Sequence, residues 1–400
     1  MKNISFLKAK KHIALLFMGC LLLPNIGKSQ SKDEQYLIVG TYSRRASEGI
    51  YVYKFNINTG EFSAVSVTKG IKNPSFLVVS SNEKFVYSVG ETDTDGSVTA
   101  YGFDKKSGNL TKLNTQLSGG ANPCHVSIDK TGKWVLVGNY SGGNLSILPI
   151  NTDGSLGQAT QTINHEGKGT NAARQEKPHV HSVNIAPNNV DVFVPDLGID
   201  KIVTYSLDAK NGKLLAGKTP FTKVSDGSGP RHFTLHPNGK FAYVIQELSS
   251  TVTGFNYVAG KLTPFQTITT LAADFENKSK SFCADIHISP DGKFLYGSNR
   301  FVDAANSNNR FAPNITTDTI VIYGIDQKTG KLTYIGNEPV LGKIPRNFMI
   351  TPNGKFVLVA NQETDNITIF SRDATSGKLT PTAKQIEIPV PVCLKMVGME

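Results

Sequence analysis

Cysteine is scarce in this 400-residue chain: there are four, and none is arranged as Cys-x-x-Cys. That removes the ligand spacing of a zinc ribbon and the redox motif of a thioredoxin-type enzyme. Cys20 falls in the N-terminal segment, and the odd remainder, Cys124, Cys283 and Cys393, cannot pair completely within the chain. Each opens a similar stretch of sequence, so buried free thiols are expected instead of a disulfide framework. Charge is also sparse, at 18% of residues. Five lysines and no acids lie in residues 1–30, which leaves 37 basic against 32 acidic side chains and a net charge of +5. Nucleic-acid binding would want a basic stripe, and none is visible. The one marked apolar run, residues 13–23, is too short to span a bilayer comfortably.

Lys2, Lys8, Lys10 and Lys11 precede that run, and Gly27, Lys28, Ser29 and Gln30 follow it. Residues 1–30 therefore read as a signal peptide. Cleavage would send residues 31–400 to the periplasm or the cell exterior, with no stable membrane insertion. An uncleaved anchor is the alternative. Lipid attachment at Cys20 fits less well, because Phe17-Met18-Gly19 is a poor lead-in and more apolar residues follow.

What the chain has is repetition. A Pro, an apolar run, a Gly-containing turn and a second apolar run recur, most clearly about Asn238-Gly239-Lys240, Asp291-Gly292-Lys293 and Asn353-Gly354-Lys355. The units open at Pro74, Pro123, Pro178, Pro230, Ala284, Pro345 and Pro391, with steps of 49, 55, 52, 54, 61 and 46 residues. About 50 residues hold four short strands, which is one propeller blade. The expected fold is all-β: a seven-bladed β-propeller of four-stranded blades over residues 31–400, monomeric, with the last blade closed by both termini. Residues 36–41 would supply its second strand and residues 392–397 its first. That closure removes exposed edges. The Gly-Lys turns lack the Gly-x-x-x-x-Gly-Lys-Ser/Thr phosphate loop. Asp93-Thr94-Asp95-Gly96 lacks the rest of a calcium loop.

In a ring of repeats, first-strand starts and second-strand ends share one rim near the axis. That rim carries His125, His179, His181, Arg231, His232, Asp285, His287 and Arg346 from first strands, and Glu91, Asn139-Tyr140, Asp196, Glu247 and Arg300 from second strands. A two-residue hairpin at Asn238-Gly239 places Arg231 opposite Gln246, beside Glu247. The same construction about Asp291-Gly292 places Arg300 opposite Cys283, near Asp285. Arg300–Asp285 reads equally well as a blade-stabilising ion pair. His179 and His181 share one face of a strand, but a third ligand of metal-site spacing is not evident, so no metal is expected. His125 reads as structural, and His236 before Pro237 as turn surface. Arg231, Arg346, His181 and Glu247 together make an anion-binding, acid/base-capable group.

Gly229-Pro230-Arg231-His232 with His236-Pro237-Asn238, then Glu247-Leu248, then Ala284-Asp285-Ile286-His287 with Pro290-Asp291-Gly292, occur in an order that resembles the seven-bladed propeller lactonase family. The His181-Ser182 and Pro345-Arg346 segments match as well. That family includes 6-phosphogluconolactonases and is related to the fungal carboxymuconate cyclases. The resemblance implies active-site positions at His181, Glu247, Arg231 and Arg346. His179, His232, Asp285, His287 and Arg300 are the surrounding substrate-binding candidates. It implies hydrolysis of an anionic sugar lactone at the channel mouth, without metal or organic cofactor. Glu247 or His181 would act as base, and Arg231 and Arg346 would hold the anion and the oxyanion. Phosphogluconolactone chemistry is cytosolic, whereas the N-terminal segment points to export, so another aldonolactone or anionic sugar derivative stands as an alternative substrate. A non-catalytic exported binding module and a muconate-type lactonising cyclase are the alternatives.

Overall fold

The computed structural model describes residues 1, 33–276, 278–302 and 317–399. The signal-peptide reading of residues 1–30, with Cys20, lies outside them. The described residues from 33 onward form seven sheets of four antiparallel strands each, set in a propeller ring. The first strands of blades 1 to 7 are Leu77–Val79, Pro123–Ile128, Asn184–Ile185, Pro230–Leu235, Ser281–Ile288, Pro345–Ile350 and Pro391–Gly398. Each touches the first strand of the next blade, except that blade 3 meets blade 4 mainly through its second strand, Asp191–Asp196. In blade 7 the C-terminal Pro391–Gly398 pairs with the N-terminal Glu34–Thr41, from Gln35 with Gly398 to Gly40 with Cys393. The ring is thus closed by both ends of the chain, as the repeat count requires.

Burial follows position in the blade. The second strand Phe356–Asn361 is buried along its whole length, because both faces meet neighbouring blades. Fourth strands such as Asn109–Leu117 alternate and face solvent. Between blades 5 and 6 the core joins Phe294, Tyr296 and Ile322 to Phe348, Val359 and Phe370. Cys124, Cys283 and Cys393 are buried free thiols.

One inter-blade device recurs. The aromatic opening a second strand packs on the glycine of the next blade's outer turn: Phe85 on Gly154, Trp134 on Gly212, Phe241 on Gly330, Phe294 on Gly377. Gly212 has φ of 63°, and a Cβ there would overlap the Trp134 indole. Gly239 has φ of 70° but nothing within 4 Å of its Cβ position. Gly239→Ala should therefore show the backbone strain alone, about 1 kcal/mol or more. Gly212→Ala should cost clearly more in chemical denaturation, because strain and overlap act together. Equal losses would argue against the latch.

The blades depart from simple hairpins where they matter most. Pro230 pairs with Gln246 and His232 with Ile245, so Arg231 is an extra residue in a β-bulge and does not face Gln246 as expected. Cys124 and Arg346 occupy the same bulge in blades 2 and 6. In blade 5, Cys283 pairs with Asn299 and Ile286 with Gly297, so two residues, Ala284 and Asp285, oppose Ser298. That slip places Arg300 opposite Phe282, not Cys283. Bulges re-aim side chains, and the Pro before Cys124, Arg231 and Arg346 tolerates the interrupted ladder. His236 is not turn surface: it is 3% exposed, with Nε2 2.8 Å from the Gly292 carbonyl of the next blade.

Candidate active site

The bulges and second-strand ends converge on a cavity of about 380 Å³ lined by Glu91, Cys124, Tyr140, Arg174, His181, Glu247, Phe282, Arg300, Val302 and Arg346. Glu247 is its hub. Arg231 Nε and Arg300 Nη2 each lie 2.9 Å from Oε2, and Arg174 Nη2 lies 2.5 Å from Oε1. Burial alone would raise the Glu247 carboxyl; Arg300, Arg231 and Arg174 outweigh it and hold it below its ordinary value. Arg231 is 1% exposed, and its Nη1 also donates to the Ala284 carbonyl at 2.6 Å. Arg300 Nη2 donates to the Cys283 carbonyl at 2.8 Å. These three guanidiniums are committed.

Arg346 differs. Its guanidinium stacks over the Tyr42 ring at 5.4 Å and has no hydrogen-bond or carboxylate partner among the described residues. Tyr42 in turn donates to Glu91 at 3.1 Å, and Ser75 hydroxyl also bonds Glu91. A stacked arginine with its donor fork free suits an oxyanion or carboxylate. Between the two charge clusters sits His181, with Nε2 4.0 Å from Glu247 Oε2 and Nδ1 3.8 Å from Cys124 Sγ. Burial first, then Arg231, His232 and Arg346, hold it well below the usual imidazole range, so it is neutral at neutral pH. Burial pushes the Cys124 thiol up to about 12, which leaves it no nucleophile.

The candidates named from sequence therefore separate. His181, Glu247, Arg300 and Arg346 line the cavity. Arg231 and His232 border a smaller chamber that shares lining residues with it. Asp285 and His287 line neither space: Asp285 takes His232 Nδ1 at 2.7 Å and His287 Nε2 at 2.9 Å. The anticipated Arg300–Asp285 pairing is replaced by Arg300–Glu247, because the blade-5 bulge turns Asp285 towards His232. His179 lines neither space. It stacks on Tyr140 at 4.4 Å and reaches Glu176 at 3.1 Å. His179 and His181 also do not share a strand face: the blade-3 strand is only Asn184–Ile185, with a lone bridge at Val180. Among the described residues, no group of three or more His, Cys, Asp or Glu could hold a metal ion.

Arg174 was not foreseen. It rides on the connection between blades 2 and 3, pinned by buried Gln175, whose Nε2 donates to the Leu197 carbonyl and to Asp200 at 2.8 Å each. Nothing in the repeat marks that connection.

A family model described as lactonase, 7-bladed beta-propeller, matches residues 36–396. The chain belongs to this family. It is 36% identical over 362 residues to a 6-phosphogluconolactonase of Bacillus subtilis, covering 90% of this chain and 97% of the relative. A 6-phosphogluconolactonase of Formosa agariphila is 39% identical over 361 residues, covering 88% and 96%. The solved periplasmic gluconolactonase of Pseudomonas aeruginosa superposes with a TM-score of 0.83 at 32% identity, covering 92% of this chain and all of that one. This lactonase family member thus matches its relatives along the whole ring, including every blade that feeds the cavity.

Proposed function

We propose that the chain is an exported hydrolase that opens an anionic sugar lactone in the 380 Å³ cavity. The reading rests on how Glu247 divides the guanidiniums: it engages three and leaves Arg346 free beside a neutral imidazole. Arg346 takes the oxyanion that forms when water attacks the lactone carbonyl, a charge that a preformed donor stabilises more than the ground state. Both oxygens of Glu247 are taken by Arg174, Arg231 and Arg300, so it fixes the cationic wall and does not serve as the base. His181 serves the ring oxygen, to which a proton must pass as the C–O bond breaks. The names of the relatives support a sugar lactone, and the periplasmic relative supports export.

The test is hydrolysis by the purified mature chain of phosphorylated and plain aldonolactones, with a chelator present. Turnover of at least one, unchanged by chelator, is expected. Loss with chelator would point to a metal, and no turnover of any lactone would favour a binding module.

A further inference from the structure

Adjoining the cavity is a second chamber of about 10 Å³, bordered among others by His181, Arg231, His232, Arg346, Asn347 and Val392. Roughly 10–15 Å³ of such space seats one water, given two to four polar partners. The chamber shares Glu91, Cys124, His181 and Arg346 with the cavity, so the two spaces adjoin along these four side chains.

His232 is the side chain in this chamber whose protonation state is fixed by a neighbour. Its Nδ1 lies 2.7 Å from Asp285 Oδ1. His287 and the amide of Asn347 hold the other oxygen, and the Ile286 N–H donates to Oδ1 at 2.9 Å. Burial would raise the Asp285 carboxyl, but His287 and His232 hold it well below its ordinary 3.8. A carboxylate only accepts, so the proton sits on Nδ1 and Nε2 carries a lone pair. Nε2 has no hydrogen-bond partner among the described residues. An acidic residue that fixes the tautomer of a base is the logic of hydrolytic triads.

We propose that this chamber seats the attacking water and that His232, oriented by Asp285, is the general base. The inference deepens the lactonase reading and rests on it. One water O–H bond breaks, and the proton goes to His232 Nε2. The oxygen bonds the lactone carbonyl carbon while the carbonyl electron pair moves to the oxygen at Arg346. Collapse breaks the ring C–O bond. The proton returns to the alkoxide by way of His181, which borders both spaces, and leaves a hydroxy acid. Nothing is oxidised or reduced. His232 is a catalytic residue on this account, and Asp285 a positioning residue.

His232 faces Arg231, Asp285, His287, His125 and His181. Burial, then Arg231, hold it near 4 against the pull of Asp285. It is therefore an acceptor at neutral pH, and turnover should fall only in acid as it protonates. His232→Gln should lower kcat on the order of 10²–10⁴-fold, leave KM little changed and abolish that acid limb. Asp285→Asn should shift the limb to lower pH, which a purely structural role would not do. Val392→Leu, which leaves His232 and Asp285 intact, fills the chamber and should lower kcat at least tenfold with KM kept. A folded His232→Gln or Val392→Leu enzyme with wild-type kcat would overturn the proposal. A wild-type chain inactive on every lactone would instead overturn the lactonase reading beneath it.

Discussion

Glu247→Ala lowers the unfolding free energy by about 3–5 kcal/mol, because it strands buried guanidiniums with no counter-charge. Arg231 and Arg300 carry most of that cost, with side chains 1% and 10% exposed. Arg174, at 36%, can turn to solvent and adds less. Two of the three come from blades 4 and 5 and the third from the connection between blades 2 and 3, so the loss is not confined to one blade. Glu247→Gln keeps an acceptor oxygen and the volume, and should fall between wild type and Glu247→Ala. Urea denaturation of the three proteins orders them. Wild-type stability in Glu247→Ala would mean the arginines do not depend on this carboxylate, and the division of charge in the cavity would have to be redrawn. Both variants should also lose turnover, since Arg231 and Arg300 would be free to seize the substrate in unproductive poses.

Arg346→Ala behaves in the opposite way. It removes a side chain with no ion-pair partner among the described residues, so the melting curve should move little. Its effect falls on kcat/KM, by about 10²–10³-fold, the cost of deleting one preformed oxyanion donor, or roughly 2.7–4 kcal/mol. Arg346→Lys should recover only part, because a point charge cannot reproduce the planar fork or its stacking on Tyr42. Arg231→Ala supplies the contrast, losing stability and activity together. Steady-state kinetics beside melting curves separate the two patterns. An Arg346→Ala enzyme with unaltered kcat/KM would remove the oxyanion role.

The ring itself was legible in the sequence because each blade repeats its opening residue, its apolar runs and its turn. The pairing of residues 391–398 with 34–41 followed from counting strands, since the last unit has one strand and the first lacks one. Membership of the rim was legible for the same reason: Arg231 and Arg346 each follow the opening Pro of their repeat, His181 lies near the opening of another and Glu247 lies at the end of a second strand, and the structure brings His181, Glu247 and Arg346 to one cavity. Contacts across the rim were not. A hairpin with fixed register cannot reveal that Cys124, Arg231 and Arg346 are bulged. One extra residue swings a side chain out of its ladder position, which is why Arg300 meets Glu247 and Asp285 meets His232. His236 looked exposed because it precedes a Pro-Asn-Gly turn, yet the neighbouring blade covers that turn. Arg174 had no signal, because its connection belongs to no repeat. The repeat encodes the scaffold, and the breaks in the repeat supply side chains that line the cavity.

The most direct measurement is a crystal structure of the mature chain with an aldonate product. The account places the product carboxylate within about 3 Å of the Arg346 guanidinium, in the cavity between His181 and Glu247, with Arg174, Arg231 and Arg300 still on Glu247. A product carboxylate held by Arg231 or Arg300 after displacing Glu247, or bound outside this cavity, would contradict it.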